Sequence, residues 1–526
     1  MPRDIAAPAA IFVVLCCLLA GCGSPGPAAA PAAKSPGAKK PDNPRPKREP
    51  EPRNVAVPLE TAGSQSPPLP DPAPAPSRPA EQPEPGARLP RPRTPGNRPL
   101  LGDLLQRVAD SESKFIASLP RMQVDEAKAA AEGIRKLIGK RLTLYTDLPA
   151  SAEVDRLPEI FDQAFPQWCE YFHIDPAEHA DWHMTGFLMD EKAVYVRTGL
   201  LPDDLPPFQH GYARNFELWL YEQPSEYYRR HLLLHEGTHG FMNTLLGACG
   251  PPWYMEGTAE LLGTHRWKDG RLTLNYMPAG REETPHWGRI RIIKDAFAEH
   301  RAMHLKKVIE YAADAHLETE PYAWCWAVAA LLDRHPRYQD RFRQLYKNVL
   351  LADFTERFYQ SIGDDWDELR EQWQVFVSGL EYGHDIPATA IDFAPGKAPT
   401  DFPVTVSVSA EKGWQNTGVQ LQGGAGYRLK ASGRYQVADR PQIWRCEPGG
   451  VSIRYYQGRP LGILLGAVRP DRPDRNAASA LIRPTVIGLG TTLAPKQTGT
   501  LFLKINDSAA ELGDNAGELS VEIVRD

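Results

Sequence analysis

The sequence has no Cys-x-x-Cys pair, although it contains 7 cysteines among 526 residues. Three of them fall in the first 22 residues, and the other four are scattered: Cys169, Cys249, Cys325 and Cys446. This spacing argues against a disulfide framework and against a zinc site built from thiolates, so single buried thiols are expected. The formal net charge of -6 also leaves no overall basic surface that would favour binding to nucleic acid.

The apolar run from Ala9 to Ala20 is too short to be an ordinary membrane-spanning helix and has the form of a secretory signal. It ends in Leu19-Ala20-Gly21-Cys22, which resembles a bacterial lipobox. The resemblance implies that residues 1–21 are a lipoprotein signal peptide and that Cys22 is lipidated. The protein would then be exported and anchored by acyl chains to a bacterial membrane, on the periplasmic or cell-surface side. Ordinary cleavage near Ala20, with Cys22 incidental, is the alternative.

Residues 22–99 are rich in proline and alanine, with scattered lysine and arginine. Such a segment cannot bury enough apolar surface to fold, so it is predicted to be a disordered linker. The whole chain is also too long for a single core, and two or more folded domains are expected.

From residue 100 the composition becomes that of a folded domain. Strand patterns alternate with helix patterns over its first half: strands at 141–146, 183–189 and 217–221, helices at 125–139 and 154–172, the latter interrupted near Pro158 and Pro166. From residue 290 to about 380 the pattern is almost entirely helical. We therefore predict an α+β domain over residues 100–385, with a mixed-sheet N-lobe and a helical C-lobe.

The stretch His235-Glu236-Gly237-Thr238-His239 lies in a helix predicted to begin near Ser225 or Glu226 and to stop at Gly247. Two histidines four residues apart lie one turn apart on the same face, so both imidazoles can reach one zinc ion. Glu236 is about 100° further round the helix and can face a metal-bound water instead. The alternative is a pair of core or surface histidines.

A second helix is predicted from Trp253, after the turn-forming Gly250-Pro251-Pro252. Its Glu256 can complete a site of two histidines and one glutamate and leave the fourth position for water, which is the catalytic pattern. Glu260, one turn later on the same face, can accept the outer N–H of a ligand histidine, or else be a solvated helix residue.

Together, His235-Glu236-x-x-His239 and Trp253-x-x-Glu256-Gly257-x-Ala259-Glu260 resemble the gluzincin (peptidase-MA) superfamily of zinc metallopeptidases. The resemblance implies Zn²⁺ bound by His235, His239 and Glu256, with Glu236 as the catalytic base. It implies a tyrosine that stabilises the oxyanion, for which Tyr322 at the start of a C-lobe helix is the best match, and a core aromatic is the alternative. It also implies that strand 217–221 is the edge strand that holds an extended peptide.

Residues 386–400 are predicted to be a second linker, and beyond them the apolar pattern changes to a period of two. This pattern, with glycine and proline between its segments, predicts an all-β sandwich over residues 401–526.

The sandwich carries a second resemblance. Gly499 to Asp507 with Asp514 to Val521, and Trp414-x-x-Thr417-Gly418 with Ala431-Ser432-Gly433, resemble the calcium-dependent galactose-binding lectin fold of bacteria. The resemblance implies Ca²⁺ ligands at Asp507, Asp514 and Asn515, and an Asx turn is the alternative. The His-Pro-Asp-Gln-Gly sugar loop of such lectins is replaced here by Cys446-Glu447-Pro448-Gly449-Gly450, so carbohydrate as a partner stays open.

These features predict an exported, lipid-anchored zinc metallopeptidase that hydrolyses a protein or peptide substrate. The alternative is a catalytically inactive gluzincin scaffold that acts as a surface binding lipoprotein. A binding protein has no need of a base at Glu236, and this favours catalysis. A third reading is an enzyme whose site is covered by the proline-rich tract or by a loop.

Overall fold

The computed structural model describes residues 121–312, 319–475 and 477–526, together with Ser111, Phe115, Ile116, Ser118 and Leu119. The predicted signal peptide, Cys22 and the linker at 22–99 lie outside the described residues. The described residues form one compact unit, and its fold is α+β with an all-β C-terminal part. Among these residues, no helix is both long enough and apolar enough to span a bilayer.

The N-lobe contains a five-stranded mixed sheet with the strand order β1-β2-β3-β5-β4. Its strands are β1 (Arg135–Ile138), β2 (Leu142–Thr146), β3 (Met184–Met189), β4 (Gly211–Arg214) and β5 (Glu217–Tyr221). The three central strands are parallel, and β1 and β4 are antiparallel edges. The prediction that strand 217–221 is the edge is therefore wrong, because β4 pairs with its outer side.

Four helices accompany this sheet: α1 (Glu126–Ala131), α2 (Ala152–Asp155), α3 (Leu157–Tyr171) and α4 (Lys192–Thr198). The helix predicted to reach residue 139 ends early, since Gly133 adopts a φ of +83° and the chain turns back to form β1. The predicted interruption near Pro158 is present as the break between α2 and α3, whereas α3 continues through Pro166.

The central helix α5 spans Glu226–Phe241, as predicted, and continues as a π turn at Met242–Leu246. It stops at Gly247, whose φ of +83° is the left-handed C-cap that the sequence indicates. The next helix, α6, spans Pro252–Gly263. After it, β6 (Arg266–Lys268) and β7 (Arg271–Thr273) form an antiparallel hairpin.

The C-lobe is helical, as predicted from the sequence. Its helices are α7 (Arg289–Ala298), α8 (Leu305–Ile309), α9 (Thr319–Arg334), α10 (Gln339–Arg343), α11 (Phe354–Ile362) and α12 (Trp366–Ser378). The N-lobe helix α3, the motif helices α5 and α6, and the C-lobe helices share one hydrophobic core. The histidine motif therefore lies where the two lobes meet.

The C-terminal part contains two four-stranded antiparallel sheets, with the orders β17-β10-β19-β8 and β16-β15-β18-β9. Its strands are β8 (Val404–Ser409), β9 (Gln415–Leu421), β10 (Tyr427–Ser432), β11 (Tyr435–Ala438), β12 (Trp444–Cys446), β13 (Val451–Tyr456), β14 (Arg459–Leu461), β15 (Leu464–Pro470), β16 (Thr485–Val486), β17 (Gly490–Leu493), β18 (Gly499–Ile505) and β19 (Glu518–Arg525).

The sandwich packs against the last helix of the C-lobe. Glu371 on α12 is buried and accepts hydrogen bonds from Arg469 Nε and Ser479 Oγ, each at 2.8 Å. Residues 386–400 contain no helix or strand, yet Ile391 and Phe393 are buried in a cluster that includes side chains of the sandwich. The segment predicted to be a linker thus contributes to the packing between the two parts.

Candidate metal centre

Helix α5 begins at a side-chain cap: the backbone N–H of Tyr228 donates to Ser225 Oγ at 3.2 Å. Further along, Gly237 allows α3 to pack closely against the motif, because a Cβ at this position would lie 2.6 Å from Phe161 Cε2 and 2.8 Å from Trp168 Cη2. Glycine costs a helix interior about 1 kcal/mol relative to alanine. Here that cost is offset by a contact that no larger residue could make.

Helix α6 is placed in a similar way against α9. A Cβ at Gly257 would lie 2.8 Å from the backbone oxygen of Cys325, so glycine is needed for this close approach. Glu256 precedes Gly257 and is therefore held opposite the histidines of α5. The loop from Gly247 to Pro252 joins the two helices.

Three predicted ligand atoms meet at one point between α5 and α6. His235 Nε2 and His239 Nε2 are 3.1 Å apart, and Glu256 Oε2 lies 3.2 Å from the former and 3.4 Å from the latter. Ligands at about 2.0–2.2 Å from a tetrahedral zinc ion are separated by roughly 3.3–3.6 Å. The three observed distances, 3.1–3.4 Å, are within about 0.2 Å of the distances expected around a shared zinc ion.

The chemistry of these atoms fits a cation as well. Glu256 Oε2 is buried and has no aligned hydrogen bond among the described residues. In the metal-free protein the nearby imidazoles of His235 and His239 compensate its charge, and a bound cation would do so in their place. Burial alone would raise the pKa of Glu256, but His239 and His235 lower it to about 2. Two imidazole nitrogens and one ionised carboxylate are a donor set that Zn²⁺ accepts.

Glu236 lies beside these ligands and beneath the edge strand. Its side chain is buried, and burial raises the pKa of its carboxyl, while the charges of His235 and His239 lower it. Position 211 of β4 faces the carboxylate, since a Cβ at Gly211 would lie 2.7 Å from Glu236 Oε1. This contact could not be predicted from the sequence, because β4 is short and has no clear alternation.

Glu260 lies on the outer side of His235. Its Oε1 is 3.4 Å from His235 Nδ1, and both its oxygens accept from Arg289, with Nη2 at 2.8 Å from Oε1 and Nε at 3.0 Å from Oε2. Both residues are buried, with 1% of Glu260 and 4% of Arg289 exposed. Arg289 lies in the first turn of α7. Its contact with Glu260 was not predicted from the sequence, in which its position at the start of a helix pattern is its only distinguishing feature.

Tyr322 lies in the first turn of α9, next to the predicted metal ligands. Its ring centre is 5.9 Å from that of His235, and the guanidinium of Arg289 lies 5.7 Å from the Tyr322 ring centre. Burial raises the pKa of Tyr322, and the carboxylates of Glu256, Glu236 and Glu260 raise it further. The phenol is thus a neutral O–H at neutral pH.

Two of the three predicted calcium residues, Asp507 and Asn515, are in direct contact after β18, and Asp514 precedes Asn515 in the chain. Asn515 Nδ2 donates to Asp507 Oδ2 at 2.9 Å and to the carbonyl of Ala410 at 3.0 Å. Asp514 Oδ1 and Asn515 Oδ1 are buried and have no hydrogen bond among the described residues. Burial raises the pKa of Asp507 to about 6, despite its hydrogen bonds from Asn515 and Ser508. Uncompensated oxygens of this kind fit a Ca²⁺ ion.

No protein-family model matches the chain, and no curated protein matches it. Among solved structures, the chain is similar to the EclA N-terminal domain, a PllA-like lectin, with 24% identity, coverage of 24% of this chain and 98% of that domain, and a TM-score of 0.18. It is similar to an aminopeptidase N family protein from Idiomarina loihiensis, with 12% identity, coverage of 73% and 68%, and a TM-score of 0.25. A third is IMPa from Pseudomonas aeruginosa in complex with an O-glycopeptide, with 11% identity, coverage of 81% and 54%, and a TM-score of 0.15.

Proposed function

We propose that the protein is a zinc metallopeptidase that hydrolyses peptide bonds in a protein or peptide substrate. The observation that carries this proposal is the convergence of His235 Nε2, His239 Nε2 and Glu256 Oε2 within 3.1–3.4 Å of one another. A buried glutamate next to this triad, Glu236, adds the base that hydrolysis requires.

A zinc ion held by the triad would polarise the scissile carbonyl and lower the pKa of a bound water towards neutrality. Glu236 accepts the proton of the attacking water and delivers it to the leaving amine. Because burial raises the pKa of Glu236, it is a stronger base than an exposed glutamate. Tyr322 donates its O–H to the substrate oxygen on which negative charge develops.

The free edge of the N-lobe sheet supports a peptide as the substrate. β4 pairs with β5 on one side only, in the sheet that the structure describes, and an extended peptide can add to such an edge through main-chain hydrogen bonds. Gly211 on this strand touches Glu236. A peptide bound along β4 would therefore pass next to the base.

Export and lipid anchoring through Cys22 are proposed from the sequence alone. The lipobox-like Leu19-Ala20-Gly21-Cys22 follows an apolar run of signal-peptide length. Replacement of Cys22 by serine should abolish incorporation of a labelled fatty acid in cells. Incorporation at an unchanged level would contradict the anchor.

Calcium binding in the sandwich is proposed as a second property, and it would use Asp507, Asp514 and Asn515. The buried, unpaired Oδ1 atoms of Asp514 and Asn515 support it. Carbohydrate remains a candidate partner of this domain, although the sugar loop departs from the lectin pattern.

The peptidase proposal is tested by measuring zinc content and cleavage of a complex peptide library by wild type and Glu236→Gln. We expect about one zinc per chain in both proteins, and a loss of roughly 10²–10⁴-fold in cleavage rate in the variant. Glu226→Gln on the same helix, with an exposed side chain, is the matched control and should cleave at the wild-type rate. Bound zinc with no cleavage by wild type would favour the inactive, substrate-binding scaffold, and absence of zinc from wild type would overturn the site.

A further inference from the structure

A second group of metal-ligating side chains lies directly behind the first. His231, His235 and Glu260 are all buried and each offers one ligand atom, and these atoms lie within 4.8 Å of one another. His231 Nε2 forms a hydrogen bond with Glu260 Oε1 at 3.4 Å. His235 Nδ1 lies 3.4 Å from the same carboxylate oxygen, but the two are not aligned as a hydrogen bond. The group thus shares His235 with the proposed zinc site but approaches it through the opposite ring nitrogen.

The two groups compete for His235. An imidazole that binds a metal through Nε2 carries its proton on Nδ1, and that N–H needs an acceptor. If Nδ1 bound a metal instead, the proton would move to Nε2 and the ring could no longer complete the triad with His239 and Glu256. Zinc binding at the triad is therefore favoured when Glu260 acts as an acceptor and not as a metal ligand.

Arg289 occupies the lone pairs that a metal would need on Glu260. Its Nη2 and Nε donate to the two carboxylate oxygens at 2.8 Å and 3.0 Å, in a bidentate arrangement. The pair is fully enclosed, and the positive guanidinium neutralises the carboxylate and repels a second cation. His231 and Tyr228 complete the enclosure, since their rings stack at 5.6 Å and Tyr228 Oη accepts from Arg289 Nη2 at 3.5 Å.

We infer that Arg289 is a positioning residue that holds Glu260 on His235 Nδ1 and keeps it off the metal, an inference that rests on the proposed zinc site. Two consequences follow from loss of the guanidinium. His235 loses a fixed acceptor, which weakens zinc binding at the triad. Glu260, left as a buried and unpaired carboxylate, recruits a divalent cation together with His231 and His235.

Two variants separate these consequences. Arg289→Met frees Glu260, whereas the double variant Arg289→Met/Glu260→Leu removes both charges and leaves no carboxylate to recruit a metal. Proteins in which a buried ion pair is replaced by apolar groups of similar volume often fold as well as the original. The double variant therefore tests the inference even if the single variant does not fold. Arg289→Lys retains the charge but not the bidentate geometry.

Arg343 provides a matched control. It also forms a bidentate pair with the fully buried Asp333, at 2.8 Å and 3.1 Å, from a side chain that is 37% exposed, but Asp333 lies eleven residues along α9 from Tyr322, about 16 Å away. Arg343→Met should lower thermal stability through a similar lost pair and leave metal binding unchanged.

The readouts are the zinc dissociation constant from chelator competition and the visible absorption spectrum of the Co²⁺-substituted protein. In both Arg289→Met variants we expect zinc affinity to fall about 10–100-fold, the usual cost of losing a partner of a ligand histidine. We expect the cobalt spectrum to change in Arg289→Met but to keep the wild-type form in the double variant. The zinc affinity of Arg289→Lys should lie between those of wild type and Arg289→Met.

Wild-type zinc affinity and cobalt spectrum in folded Arg289 variants would overturn the inference while leaving the zinc site intact. An equal loss of affinity in Arg343→Met would also overturn it, since the effect would then be one of general stability. Absence of zinc from the wild-type protein would instead overturn the proposed function.

Discussion

Gly211 on the edge strand lies directly against Glu236, so that a Cβ atom at position 211 would stand 2.7 Å from Oε1 and 2.8 Å from Cγ of the glutamate. The contact connects β4, the strand that would hold a peptide, with Glu236, the residue that would transfer a proton from the attacking water to the leaving amine. Neither residue can be displaced without affecting the other.

Gly211→Ala should therefore lower the rate of peptide cleavage without loss of zinc. The added methyl group must push the Glu236 carboxylate aside, and a displacement of about 1 Å in a catalytic group can cost roughly 100-fold. Steady-state kinetics and zinc content measure the two effects. Gly379→Ala is the control, because its Cβ would meet only one atom, at an ordinary 3.5 Å. Unchanged kinetics in Gly211→Ala would mean that β4 shifts to accommodate the methyl group and that the Glu236 carboxylate stays in place.

Gly257→Ala should destabilise the protein and weaken zinc binding together. Its Cβ would lie 2.8 Å from the backbone oxygen of Cys325, so α6 must move away from α9 and carry Glu256 with it. Overpacking of this kind costs about 1–3 kcal/mol. Thermal unfolding and chelator competition provide the measurements, again with Gly379→Ala for comparison. A stability loss with unaltered zinc affinity would show that Glu256 does not depend on this contact.

Tyr322→Phe should reduce kcat and leave KM nearly unchanged. The phenol would act on charge that develops only in the transition state, and loss of one such donor costs about 10²–10³-fold in kcat. Zinc content should be retained, because the ring remains. If KM rose instead while kcat held, Tyr322 would contribute to ground-state binding only.

Zinc binding should weaken as the pH falls and should release a proton near neutrality. Burial alone would lower the pKa of His235, but in the metal-free protein the contacts with Glu256 and Glu260 hold it well above its usual value. A ligand histidine must be neutral, so zinc has to displace this proton. Calorimetry in two buffers of different ionisation enthalpy, between about pH 6 and pH 8, measures the release. Binding with no exchange of protons would show that His235 is already neutral.

Calcium should stabilise the protein more at neutral pH than at acidic pH, through Asp507. Its pKa rises from 3.8 to about 6 on folding, so the protonated form favours the fold. That contribution, at most about 3 kcal/mol, is complete below pH 3.8 and is lost as the pH rises through 6. A bound cation would compensate the ionised carboxylate.

Asp507→Asn tests this account. In the absence of calcium, the variant should unfold at a higher temperature than wild type at neutral pH and at about the same temperature in acid. It should also lose the stabilisation by calcium. If calcium does not shift the unfolding temperature of the wild-type protein, this result would favour the alternative that these residues form an Asx turn without a bound ion.

The sequence was sufficient to predict the elements whose signals are local. Ser225 as the start of the central helix and Gly247 as its stop act within one turn of the chain, and the structure confirms both. The helix predicted to residue 139 failed because Gly133 reverses the chain, while the apolar residues after it suit either a helix or a strand.

Contacts between distant segments could not be predicted in this way. Arg289 reaches Glu260 across 29 positions, and nothing near Arg289 in the sequence marks it as different from other arginines at a helix start. The contact of Gly211 could not be predicted either, because what matters at this position is the absence of a side chain opposite Glu236. The three candidate ligands could be predicted from the sequence only because they belong to two neighbouring helices and to a motif of fixed spacing.

The π turn at Met242–Leu246 holds one residue more than an α turn would. Removal of one residue there would restore an α turn and leave the direction of the following chain nearly unchanged. A deletion inside the regular helix before it would instead rotate everything that follows by about 100° about the helix axis. A change of one residue in the spacing between His239 and Glu256 is thus expected to be tolerated at the π turn and not in the α-helical turns that hold the candidate ligands.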